Sequence, residues 1–152
     1  MAATLVFAWG NPSRGDDALG PSFAAALQDS AAGNPHWGDF ECLTDFQLQI
    51  EHALDLRHRR RVLFVDASLS CAPPFSVTPL VPARDTSFST HALSPQAVLQ
   101  VFRDIEGTEP PPAQLLAIRG TRFELGEDLS PAAREHLAAA LAWSATWLAA
   151  CD

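Results

Sequence analysis

The sequence predicts an α/β fold in which strands and helices alternate. Three observations carry that prediction: short apolar runs recur along the chain, helical patterns separate them, and a turn-rich loop joins the first run to the first helix.

The first run, residues 3–8, holds Val6 and Phe7 and fits a buried strand. Gly10-Asn11-Pro12-Ser13 follows it with turn chemistry, because Gly permits positive φ, Pro fixes φ, and Asn and Ser bond locally to the backbone. After Gly20-Pro21 a helix is predicted over 20–30, with Phe23, Ala26 and Leu27 on one face. Further strands are predicted over 40–43, 62–65 and 115–118. A weaker one, 75–81, is crowded by prolines 73, 74, 79 and 82, which suits an edge strand.

Residues 47–57 predict a second helix that brings Ile50, Ala53 and Leu54 together. The third starts at Ser94-Pro95, a Ser cap followed by Pro, and carries Val98, Leu99, Phe102 and Ile105 at helical spacing. Ser130-Pro131 repeats that start for a last helix reaching about Ala150, with Leu137, Leu141 and Leu148 inward. Its tryptophans, Trp143 and Trp147, stand one turn apart as core or docking surface. The order is β-α-β-α-β-β-α-β-α without internal repeats, and "EGTEPPP" (106–112) is a rigid connector within a single domain, 1–152.

Composition narrows the function. A length of 152 residues with 47% hydrophobic content supports one globular core. Ten basic against 18 acidic residues give a net charge of −8, which argues against nucleic acid as a partner. The basic segment 57–61 reads as a solvated loop with a preference for helix C-termini. Cys42, Cys71 and Cys151 are odd in number and form no CxxC, so neither a disulfide framework nor a structural zinc site follows. No secretory signal is visible and the apolar tail 137–151 is too short to span a bilayer, so a cytoplasmic location away from membranes is expected.

Three weak signals fall on loops of one α/β rim. Asp16-Asp17 lie in the first strand-to-helix loop, where one or both could cap a helix or serve as metal ligand or general base. Asp66 ends the apolar strand of "VLFVDAS". His91 precedes the third helix in "STHALSP". Two carboxylates and one imidazole suit a borderline divalent ion with open positions for water or substrate.

Four motifs, "GNPSRGDDALGP", "VLFVDAS", "STHALSP" and "FELGEDLSP", occur in order across almost the whole chain. With them the sequence resembles the [NiFe]-hydrogenase maturation endopeptidases. The resemblance implies a three-layer α/β/α domain with a twisted five-stranded mixed sheet and one antiparallel strand, for which 75–81 is the candidate. It implies metal binding and catalysis by Asp17, Asp66 and His91. It further implies removal of a C-terminal extension from a hydrogenase large-subunit precursor once nickel is in place, without a Ser or Cys nucleophile. The metal would be the substrate's nickel rather than a resident ion, with zinc or cadmium able to substitute. Three departures stand out: "LTDFQLQIEHALDL" replaces a Gly-Gly-Thr segment, Ala18 a common Gly, and Arg119-Gly120 a frequent Gln-Pro. "FQLQIE" is closer to the variants that serve cytoplasmic, cofactor-reducing hydrogenases.

Other readings compete. A non-catalytic, nickel-dependent chaperone would bind the same precursor and leave it intact. A cysteine hydrolase would use Cys71 and His91. A dinucleotide enzyme is disfavoured because residues 10–20 do not spell G-x-G-x-x-G and no acid closes the second strand.

Overall fold

Apolar residues fill both faces of the central strands, as in a sheet covered on both sides. In β1 (Thr4–Trp9), Leu5, Val6, Phe7 and Ala8 are buried, and β3 (Arg61–Ser68) repeats the pattern with Val62, Leu63, Phe64 and Val65. The computed structural model describes residues 2–85 and 92–150. β1 and β3 lie side by side in a five-stranded sheet of order β2-β1-β3-β5-β4. β2 (Phe40–Asp45) runs parallel to β1 and β5 (Ala113–Arg119) parallel to β3, and β4 (Phe75–Leu80) is the antiparallel edge strand, paired with β5.

Helices cover both faces. α1 (Leu19–Ala31) and α3 (Pro131–Ala149) pack against Val6, Ala8, Leu63, Val65 and Ile118. α2 (Pro95–Glu106) and the 3-10 segment Ile50–Leu56 pack against Leu5, Phe7, Val62 and Phe64 on the other side. The fold is thus the three-layer α/β/α arrangement with one antiparallel strand. α2 and α3 start as their Ser-Pro pairs predict, with the Ser94 hydroxyl accepting from Ala97 N at 3.1 Å and that of Ser130 from Ala133 N at 3.2 Å. Among the described residues no helix is long and apolar enough to cross a membrane.

Three expectations are corrected. The predicted helix over 47–57 is a 3-10 segment, Ile50–Leu56, with three residues per turn. That period turns His52, Ala53 and Leu56 inward and leaves Ile50 60% and Leu54 45% exposed, so the grouping of Ile50 with Ala53 and Leu54 fails. Ile105 is also exposed, in the last turn of α2 beyond Val98, Leu99 and Phe102, which meet the core.

The basic segment 57–61 is not simply solvated. Arg59 is buried, paired with Glu41 at 2.7 Å and donating to the carbonyls of Asp55 and Ala2. Arg61 lies 4.0 Å from the Trp147 ring centroid and donates to the carbonyls of Trp147 and Leu148 at the end of α3. The preference for helix C-termini holds, but the helices are distant in sequence. Arg57 likewise pairs with Glu106 in the last turn of α2.

Candidate functional site

β1 and β3 are adjacent, yet the chain leaves β1 towards α1 and β2 and leaves β3 towards β4, α2 and β5. Their carboxyl ends therefore form a topological switch point, where open α/β sheets bind ligands. Asp17 reaches this rim from the loop after β1, and Asp66 from the end of β3.

The loop is built around a close backbone approach. Gly10 has φ +145°, and a Cβ there would lie 2.0 Å from the carbonyl oxygen of Asp17. Only glycine lets residue 17 fold back over the strand end. Asn11 N then donates to Asp17 Oδ2 at 2.9 Å and sets that carboxylate's orientation.

The two neighbouring acids separate into different roles. Asp16 is fully buried and accepts from Ser130 N (2.7 Å), the Ser130 hydroxyl (2.8 Å), Thr121 N (2.8 Å), the Thr121 hydroxyl (3.1 Å) and Arg122 N (3.2 Å). Burial alone would raise its pKa, but these donors outweigh it and hold the carboxyl at about 2. Asp16 therefore ties the β1–α1 loop to the start of α3, buried and with hydrogen bonds on both carboxylate oxygens.

Asp66 is the opposite case. Burial pushes its pKa up to about 7 against one hydrogen bond from Ala67 N at 2.8 Å, and the charge of Asp17 adds to the rise. Among the described residues, neither Asp17 Oδ1 nor Asp66 Oδ2 accepts a hydrogen bond. Two carboxylates that repel each other, each with a free oxygen, are a fitting pair for a divalent cation.

His91 lies outside the described residues. Of its neighbours, Leu93 N donates to Leu48 O at 3.2 Å and Ser94 N to Asp85 Oδ2 at 3.0 Å. Among the described residues no group of three His, Cys, Asp or Glu side chains could hold a metal ion. Cys71, on the loop after β3, donates its thiol to the carbonyl of Ala117 at 3.5 Å.

Sequence reasoning missed one pair. β2 runs on to Asp45, so an acid does close the second strand, and the case against a dinucleotide enzyme rests on the missing glycine pattern alone. Asp45 Oδ2 is 3.1 Å from Nε2 of the buried His52. The signal was the one used for Asp66, an acid just beyond an apolar run, and it was hidden because the strand was ended at residue 43.

No family model matches the chain, and no curated protein matches it in sequence. Solved structures do share its fold. One is a [NiFe] hydrogenase maturation protease, HycI, from Thermococcus kodakarensis KOD1, with a TM-score of 0.73 at 21% identity, covering 95% of this chain and 91% of that one. Another is the hydrogenase maturating endopeptidase HybD from E. coli, at TM-score 0.73, 22% identity and the same coverages of 95% and 91%. A third is a hydrogenase 2 maturation peptidase from Thaumarchaeota archaeon SCGC_AB-539-E09, at TM-score 0.65 and 23% identity, covering 95% and 97%.

Proposed function

We propose that this chain is an endopeptidase of [NiFe]-hydrogenase maturation, which removes the C-terminal extension of a large-subunit precursor after nickel insertion. The observation that carries the reading is the pair Asp17 and Asp66, coupled by charge at the switch point of a fold shared with three maturation peptidases.

The nickel is the substrate's. Asp17 Oδ1 and Asp66 Oδ2 are the open oxygens that would meet it, with His91 the third donor implied by the sequence. A cation between the two acids offsets both the burial of Asp66 and the charge of Asp17, and so draws Asp66 back to its ionised form. Recognition is then selective: without the cation, Asp66 keeps its proton part of the time at neutral pH. Attack on the peptide bond is by water with metal or general-base help, and no covalent nucleophile is assigned.

The test is mass spectrometry of precursors incubated with the purified protein. A nickel-loaded precursor should lose its C-terminal extension, a nickel-free one should stay intact, and serine- and cysteine-protease reagents should leave the reaction unaffected. Stable binding without cleavage would establish the chaperone reading instead. Inactivation by iodoacetamide would favour Cys71. Equal trimming of the nickel-free precursor would overturn recognition of nickel but leave the peptidase.

A further inference from the structure

His52 is held in one tautomer. Its Nδ1 accepts the backbone N–H of Gln49 at 2.8 Å, which closes the start of the 3-10 segment Ile50–Leu56, so the proton sits on Nε2. Nε2 therefore donates to Asp45 Oδ2 at 3.1 Å. The imidazole is itself fixed edge-on to Phe7, with ring centroids 4.5 Å apart. Phe46 N donates to Asp45 Oδ1 at 2.7 Å. Both carboxylate oxygens are thus anchored, while the Asp45 side chain remains 39% exposed.

Among the described residues no arginine pairs with Asp45. Its ion-pair contact among the described residues is His52, which is neutral in this tautomer. Asp45 lines an open cleft of about 350 Å³ with Gly10, Pro12, Pro21, Thr44 and Phe46. That volume is more than ten times the roughly 30 Å³ of one water molecule, so the space is far larger than a bare ion requires. Two prolines and a phenylalanine supply apolar walls, and one carboxylate supplies the charge. Such a lining matches an alkyl stem that ends in a cationic head.

We propose that this cleft receives a lysine or arginine side chain of the substrate, that Asp45 binds its charged head, and that His52 is the positioning residue that holds Asp45 for it. The proposal rests on the reading above, in which a protein chain lies across the rim beside the β1–α1 loop. It adds a second point of recognition, separate from the nickel contact, on an element that departs from the family's Gly-Gly-Thr segment.

Two experiments test it. In NMR titrations, N-acetyl-arginine amide should shift the backbone signals of Gly10 and Phe46 in the wild type. Asp45→Asn should bind it about tenfold more weakly or worse, and N-acetyl-norleucine amide should cause no such shifts. Equal responses in Asp45→Asn, equal responses to the norleucine probe, or displacement of the arginine probe by nickel chloride alone would overturn the proposal. With nickel-loaded precursor, Asp45→Asn should raise KM about tenfold and leave kcat within about twofold. His52→Leu should reproduce the rise in KM and add little to Asp45→Asn, because both remove the same contact. His52→Gln, which keeps a donor and an acceptor, should recover most of the affinity, and it is the deciding variant if His52→Leu fails to fold. A kcat loss with KM unchanged would sink the role of Asp45. If the wild type does not cut the precursor at all, the proposed function falls, and the amide titration decides the cleft by itself.

Discussion

Asp16 and Ser130 meet twice across 114 positions of chain: the serine N–H donates to one carboxylate oxygen at 2.7 Å and its hydroxyl to the other at 2.8 Å. Ser130 also caps α3, so one residue joins the loop that carries Asp17 to the helix that closes the domain. Asp16→Asn replaces an accepting oxygen with an amide that donates, and leaves at least one buried N–H or hydroxyl without an acceptor. It should cost about 2–3 kcal/mol. Urea denaturation checks this, and an unchanged midpoint would remove Asp16 from its role as a tie.

The same carboxyl predicts acid sensitivity. Its folded pKa, about 2, lies below the ordinary value of 3.8, so its stabilisation is fully present above 3.8 and lost as pH falls through 2. The loss should be about 2 kcal/mol. Unfolding of Asp16→Asn, followed between pH 5 and 2, should lack that component of the slope. A parallel decline in both proteins would contradict it.

Asp66 has the reverse sign. Its folded pKa of about 7 lies above 3.8, so its favourable contribution is present below 3.8 and is lost as pH rises through 7. Asp66→Asn cannot ionise. Its stability relative to wild type should therefore grow from pH 4 to pH 8, by on the order of 1–2 kcal/mol after solvent screening, or about 2–8 °C in Tm. Thermal melts at the two pH values decide this. A variant that loses ground at pH 8 would mean that Asp66 is stabilised as a carboxylate.

Asp17→Asn should abolish processing with little change in the melt, since among the described residues its side chain accepts one hydrogen bond, from Asn11 N. Crystals soaked in zinc or cadmium should place the ion between Asp17 and Asp66, with zinc–oxygen distances of about 2.0–2.2 Å. An ion found elsewhere, with both acids bare, would contradict the assignment.

Arg61 gives a prediction away from the rim. It donates to Thr4, Trp147 and Leu148 and stacks on Trp147. Arg61→Met should cost about 2 kcal/mol through the lost bonds to α3. Arg61→Lys should recover little of it, because an ammonium cannot reproduce the planar fork. Urea midpoints for the two variants provide the check.

Local chemistry made most of the fold legible in the sequence. Ser94-Pro95 and Ser130-Pro131 mark helix starts by residues whose hydroxyls bond within the next turn, and the apolar runs of β1 and β3 need no partner to be recognised. The loop's own residues did not tell Asp16 from Asp17, and only the family resemblance singled out Asp17, since what distinguishes them in the fold is a set of donors supplied by residues 121–130. The rest failed where the outcome depends on distant contacts. Arg59 looks solvated until Glu41 and the carbonyl of Ala2 are brought to it. Ile50 looks inward at 3.6 residues per turn and is outward at three.

The order of the sheet has a consequence for synthesis. β5 enters between β3 and β4, two strands that precede it. β3 keeps one open edge, and β4 has no strand to pair with, until residues 113–119 arrive. A nascent chain that has made two-thirds of its length therefore holds only β2, β1 and β3 as a continuous ladder. Closing the sheet is a late event in which one strand must satisfy two neighbours at once, and the ribosome-bound intermediate exposes unpaired backbone that a chaperone would be suited to shield.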